Sequence, residues 1–142
     1  IPFGRMFDIV TKYIGGWGNE QITYAFEGYI NGECVATVVR TAVTELHLDV
    51  KADADTLCEG DTYDATRIQI IARDQNGNRV PFADSSVKVT VKGAASVIGP
   101  SEFPLIGGDR AFWIRTNGEK GNISVTVDAK GIGKVKLDLK SE

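Results

Sequence analysis

The amino-acid sequence predicts an all-β fold, an antiparallel β-sandwich of two sheets, with a short helix and a β-hairpin preceding it. Three observations carry this prediction. From Thr44 onward, six segments alternate apolar and polar residues with a period of two, the pattern of a strand buried on one face and wet on the other. Turn residues punctuate the intervals, and the chain holds 16 glycines. Before Thr44 the periodicity is different, first helical and then that of a single hairpin. Hydrophobic residues are 42% and charged residues 25% of the 142-residue chain, enough to bury a core and unlike a disordered composition.

The first element is a helix. Phe3, Met6, Phe7, Val10, Tyr13 and Ile14 recur at helical spacing, and Gly15-Gly16 stops the pattern. An amphipathic helix this short has nothing of its own to pack on and is expected to dock on a neighbour. Ile22–Ile30 and Cys34–Arg40 then read as two strands joined by Asn31-Gly32, a dipeptide suited to a type I′ turn, which needs positive φ at both central residues. A lone hairpin is marginal in water. Residues 1–43 are therefore expected to be the tail of a preceding domain or linker, and residues 44–142 the sandwich.

The six sandwich strands follow in order. Their inward residues are expected to be Leu46, Leu48 and Val50; Ile68, Ile70 and Ala72; Val87, Val89 and Val91; Phe112 and Ile114; Ile123, Val125 and Val127; and Val135, Leu137 and Leu139. Ile71 is the one apolar residue that breaks the alternation in its strand. Turns fall at Asp74–Asn78, Gly99-Pro100, Gly107-Gly108, Asn117-Gly118 and Gly131.

Charge and composition narrow the partners. The formal net charge is −3 and the basic residues are scattered, which argues against a nucleic-acid face. Lys134 and Lys136 alternate on one strand and read as a solvated strand face. No run of about 18 apolar residues marks a membrane span. The chain opens Ile-Pro-Phe-Gly-Arg, without an initiating Met or a signal-peptide pattern, and reads as an excised segment or a mature fragment whose compartment is open. Cys34 and Cys58 are too few for a disulfide framework and are expected to be reduced, small apolar fillers. With His47 they do not complete a zinc site. No cofactor, metal or catalytic residue is predicted.

Three constellations invite chemistry. Asp53, Asp55, Glu59 and Asp61 are dense enough to suggest paired carboxylates or a calcium loop, but Leu57 falls where a third EF-hand ligand would be. They read as a solvated connection between strands. Asp74-Gln75-Asn76-Gly77-Asn78 begins like a calcium loop, yet Val80-Pro81 follows at once, which favours a hairpin turn. Trp113 and Arg115 are expected to point outward from their strand. An outward Trp beside Arg suits either an inter-domain contact or stacking on a sugar. Trp17, Trp113 and Arg115 are the candidate contact residues.

Three blocks of sequence carry a family resemblance: "WGNEQITYAFEGYINGECVATVVRTAVTELHLDV" from Trp17 to Val50, "RDQNGNRVPFAD" from Arg73 to Asp84, and "VIGPSEFPLIGGDRAFWIRTNGEKG" from Val97 to Gly121. Together they resemble the C-terminal immunoglobulin-like domain of β-galactosidase-type enzymes of glycoside hydrolase family 2. The first block is similar to the junction with the preceding domain in that family. The resemblance implies an immunoglobulin-like sandwich and a non-catalytic accessory role in domain assembly or substrate access, since the family's two catalytic glutamates lie in an upstream barrel whose motifs do not occur here. Other domains of a parent enzyme are then the expected partners, with carbohydrate as a second candidate. The alternative is an independent carbohydrate-binding or adhesin-type bacterial module, because fold does not fix function.

Overall fold

The computed structural model describes residues 2–13 and 22–142. The chain divides into two compact units, residues 1–43 and residues 44–142. In the first, α1 spans Phe3–Tyr13, its first turn closed by the Met6 N–H donating to the Pro2 carbonyl at 3.1 Å. The helix buries no side chain, and Phe3, Met6, Phe7 and Tyr13 are all exposed. Ile14 and Gly15-Gly16, expected to end the helix, lie outside the described residues, as does Trp17. Strands β1 (Tyr24–Ile30) and β2 (Glu33–Arg40) form the expected hairpin, starting two residues later than the apolar pattern because Ile22 and Thr23 do not pair. Asn31 and Gly32 have φ of 51° and 85°, the positive values that the two-residue turn requires.

The second unit is an all-β, immunoglobulin-like sandwich. One sheet has four strands in the order β3 (Leu46–Ala52), β5 (Ala65–Asp74), β9 (Asp109–Thr116) and β7 (Ala95–Ile98). The other has five, in the order β4 (Thr56-Leu57), β11 (Gly133–Ser141), β10 (Gly121–Ala129), β6 (Ser86–Gly93) and β8 (Glu102–Pro104). Pairing is antiparallel except between β11 and β4, which run parallel over Lys140↔Thr56 and Ser141↔Leu57, a departure from the purely antiparallel expectation.

The core lies between the sheets and is built from the residues that the alternation points inward. Ile68, Ile70, Ile114, Val87, Ile123, Val125 and Val127 are fully buried, and Leu48, Val50, Phe112, Val89 and Leu139 nearly so. Leu46, Val91, Val135 and Leu137 are half-buried at its margin. Leu57 and Leu105 are as deeply buried as any strand residue, although neither belongs to an alternating run. Asp74, Thr66, Thr116 and Ser141 are buried polar residues, and each is hydrogen-bonded. Asp74 closes the turn after β5 by accepting from the Asn76 and Asn78 backbone N–H groups at 2.9 and 2.8 Å and from the Asn78 amide. This Asx arrangement reverses the chain, and only the bridge Arg73↔Arg79 follows before the chain crosses to the other sheet.

Candidate functional site

The outer face of the four-stranded sheet carries Trp113. Phe112 and Ile114 fill the core, so Trp113 and Arg115 stand on the wet side of β9. Trp113 remains 48% exposed, placed opposite Arg67 on β5 and Ile98 on β7. Ile98 is 44% exposed, and these two side chains with the half-buried Ile71 of β5 give this face its apolar part.

The charged groups around them are largely neutralised within the sheet. Arg67 donates twice to Asp53, at 3.0 and 3.2 Å, and this hydrogen bonding, with the carboxylate charge second, holds the guanidinium above its usual range. Arg73 donates to Asp49 at 2.8 Å and to the Gly77 carbonyl at 2.8 Å. The Gln69 amide donates to Asp109 at 3.2 Å. Arg115 differs: among the described residues its guanidinium faces no carboxylate within ion-pair distance and lies over the Tyr63 ring, 5.1 Å from the centroid. The face therefore presents Trp113 and Ile98 beside a cation seated on an aromatic ring. Tyr63 was not foreseen because it sits in the connection before β5, where a two-residue period has nothing to say. Its nearness to Arg115 becomes meaningful only once β5 and β9 are in register, which sets Arg115 opposite Ala65, two residues after Tyr63.

The acidic connection is occupied with structural bonds. Asp53 is committed to Arg67, Glu59 accepts from the Gly118 N–H at 3.0 Å, and Asp64 accepts from the Cys58 N–H at 2.9 Å. Asp55 and Asp61 are exposed. His47 is exposed on β3, opposite Arg73. The expectation that the two cysteines are apolar fillers is corrected: Cys34 and Cys58 are free and both exposed. Cys34 sits on a two-stranded sheet with little to cover it, its thiol donating to the Ala36 carbonyl at 3.6 Å, and Cys58 lies one residue beyond the two-residue strand β4, where Leu57 takes the inward position. At one end of the sandwich, Phe82 is 90% exposed and Ile106 is also exposed, on two loops tied together by the Gly108 N–H donating to Ala83.

Comparison with known proteins places this geometry. The family model "Glycoside hydrolase family 2 C-terminal domain 5" matches residues 48–138. The chain is 32% identical over 127 residues to a β-galactosidase of Rhizobium meliloti, a match covering 89% of this chain and 17% of the relative. It is 36% identical over 106 residues to a β-galactosidase of Thermoanaerobacterium thermosulfurigenes, covering 72% of this chain and 14% of the relative. The chain thus spans less than a fifth of the length of either. Among solved structures, a β-glycosidase from Bacteroides vulgatus shares the fold with a TM-score of 0.71 at 18% identity, over 85% of this chain and 17% of that one. With the sandwich formed and the family model spanning nearly all of it, the chain belongs to the glycoside hydrolase family 2 C-terminal domain 5 family.

Proposed function

We propose that this chain is a non-catalytic accessory segment of a larger β-galactosidase-type glycoside hydrolase, and that its sandwich supports the assembly of that enzyme. The observation that carries the reading is the family match over residues 48–138 together with two β-galactosidase relatives of which the chain spans less than a fifth. The chemistry agrees with it. Retaining hydrolysis needs two carboxylates about 5–5.5 Å apart in a sugar-sized cleft. Of the four acidic residues that sequence density brings forward, Asp53 and Glu59 are held by Arg67 and by the Gly118 backbone, and Asp55 and Asp61 are exposed. Residues 1–43 are the tail of the preceding domain in this reading, and Trp113 and Arg115 form the contact through which the sandwich meets the rest of the enzyme. Aromatic and arginine side chains are the anchors such contacts use.

Two measurements test the proposal. Incubated at high concentration with nitrophenyl β-galactoside, the 142-residue chain shows no turnover; hydrolysis that survives repurification sinks the accessory reading. The coding sequence upstream of Ile1 encodes a glycoside hydrolase barrel; a different upstream domain sinks the parent assignment. Binding of the isolated chain to a glycan array, lost on Trp113→Ala, would assign the face to carbohydrate instead of to a neighbouring domain.

A further inference from the structure

Among the described residues the β1–β2 hairpin is a two-stranded sheet, in which β1 pairs with β2 and with no other strand. Its free edge is a row of peptide groups ready for another strand. One face is apolar as well: the Tyr24 and Phe26 rings stack at 6.5 Å, Phe26 lies opposite Val38, and Phe26 is 59% exposed. The other face is more polar, with Glu27 opposite Thr37 and the Tyr29 hydroxyl donating to Glu27 at 2.7 Å. A face with stacked aromatic rings is of the kind that antiparallel sheets commonly cover.

The two strands are not equivalent as edges. On β2 the extra residue Val35 makes a bulge against Gly28 and Tyr29, and bulges blunt an edge. On β1 no residue is inserted. The turn settles which β1 groups face outward. Across a two-residue turn the flanking pair, Ile30↔Glu33, is the hydrogen-bonded one, so at the next pair, Tyr29↔Cys34, the Tyr29 N–H and carbonyl point away from β2.

A second copy fits this edge poorly. Antiparallel pairing of β1 with itself about its midpoint sets Glu27 against Glu27, a like-charge pair. The relatives point elsewhere. The 127-residue match to the Rhizobium meliloti β-galactosidase is longer than residues 44–142, so it reaches into residues 1–43, and it makes up 17% of that protein. The matched segment is thus part of a polypeptide most of which lies outside the match.

We propose that β1 is an edge strand that completes a β-sheet in another part of the parent polypeptide. Tyr24–Ile30 adds to that sheet through main-chain hydrogen bonds, while Tyr24 and Phe26 close over its apolar layer. This rests on the reading of the chain as part of a larger enzyme and adds the mode of its attachment.

Amide hydrogen exchange tests it, measured on the 142-residue chain and on the full-length parent. The Tyr29 amide is expected to exchange quickly in the 142-residue chain and at least about tenfold more slowly in the full-length protein. In the full-length protein Tyr29→Pro, which removes an outward N–H and spares the β2 ladder, is expected to expose the junction to proteolysis, whereas Tyr29→Ala is not. Equal Tyr29 exchange in both proteins, or equal effects of Pro and Ala, overturns the edge-strand proposal and leaves the parent reading standing. An upstream sequence with no hydrolase domain overturns the parent reading, whatever Tyr29 does.

Discussion

Gly108 shows how much one residue can carry. Its φ is +77°, and a Cβ built on it would lie 2.1 Å from the Val80 carbonyl oxygen. Its N–H donates to Ala83 and its carbonyl accepts from Ala72, so the backbone cannot withdraw without breaking the tie between two loops and β5. Gly131 has nearly the same φ, +79°, with open space around it. Left-handed backbone at a non-glycine residue costs about 1–3 kcal/mol, and Gly131→Ala should show only that. Gly108→Ala should lose distinctly more, read as a larger drop in thermal midpoint; equal drops would mean that the close approach to Val80 relaxes freely. Trp113 behaves in the opposite way. Because it lies outside the core, Trp113→Ala should change the midpoint of the 142-residue chain by no more than a few degrees, since surface substitutions are usually within about 0.5 kcal/mol. A drop of the size seen for a core truncation would show that the ring is packed.

At the scale of elements, alternation explains the strands that are long and fails for those that are short. β5 and β10, ten and nine residues long, bury alternate residues along their length, with Ile71 the one apolar residue on the outward side of β5. β4, β7 and β8, of two, four and three residues, do not, because a period cannot be recognised within so few positions. β7 and β8 are separated only by Gly99-Pro100-Ser101 and belong to different sheets. β8 is joined to β6 over three residue pairs and by one exposed ion pair: Lys88 sits opposite Glu102 and its ammonium lies 2.9 Å from that carboxylate. The hydrogen bond, and after it the charge of Glu102, raises the Lys88 pKa. A raised folded-state value stabilises the fold below the ordinary lysine range, and the effect is lost as pH rises through the folded-state pKa. Glu102→Gln should bring the Lys88 pKa down in an NMR titration while leaving the midpoint at neutral pH nearly unchanged, because both side chains are exposed. An unaltered Lys88 titration would show that the pair does not persist in solution.

For the whole molecule, residues 44–142 hold a complete two-sheet core. They should fold without residues 1–43, melting cooperatively with a stability of about 5–15 kcal/mol, the ordinary range for a domain. A truncated chain without a cooperative transition in calorimetry would refute this. The sequence by itself determined the all-β class, the hairpin turn at Asn31-Gly32 and the inward residues of six strands. Those follow from the chain's own geometry: a strand must present alternate residues to opposite faces, and a two-residue hairpin turn must find residues that accept positive φ. The tertiary structure decided the rest. It placed Leu57 and Leu105 in the core and paired β4 parallel to β11. It also seated Arg115 on Tyr63 and left Cys34 and Cys58 exposed. Each of these depends on which segments become neighbours across many residues of chain. A period of two says which face a residue occupies and nothing about what the fold brings to that face.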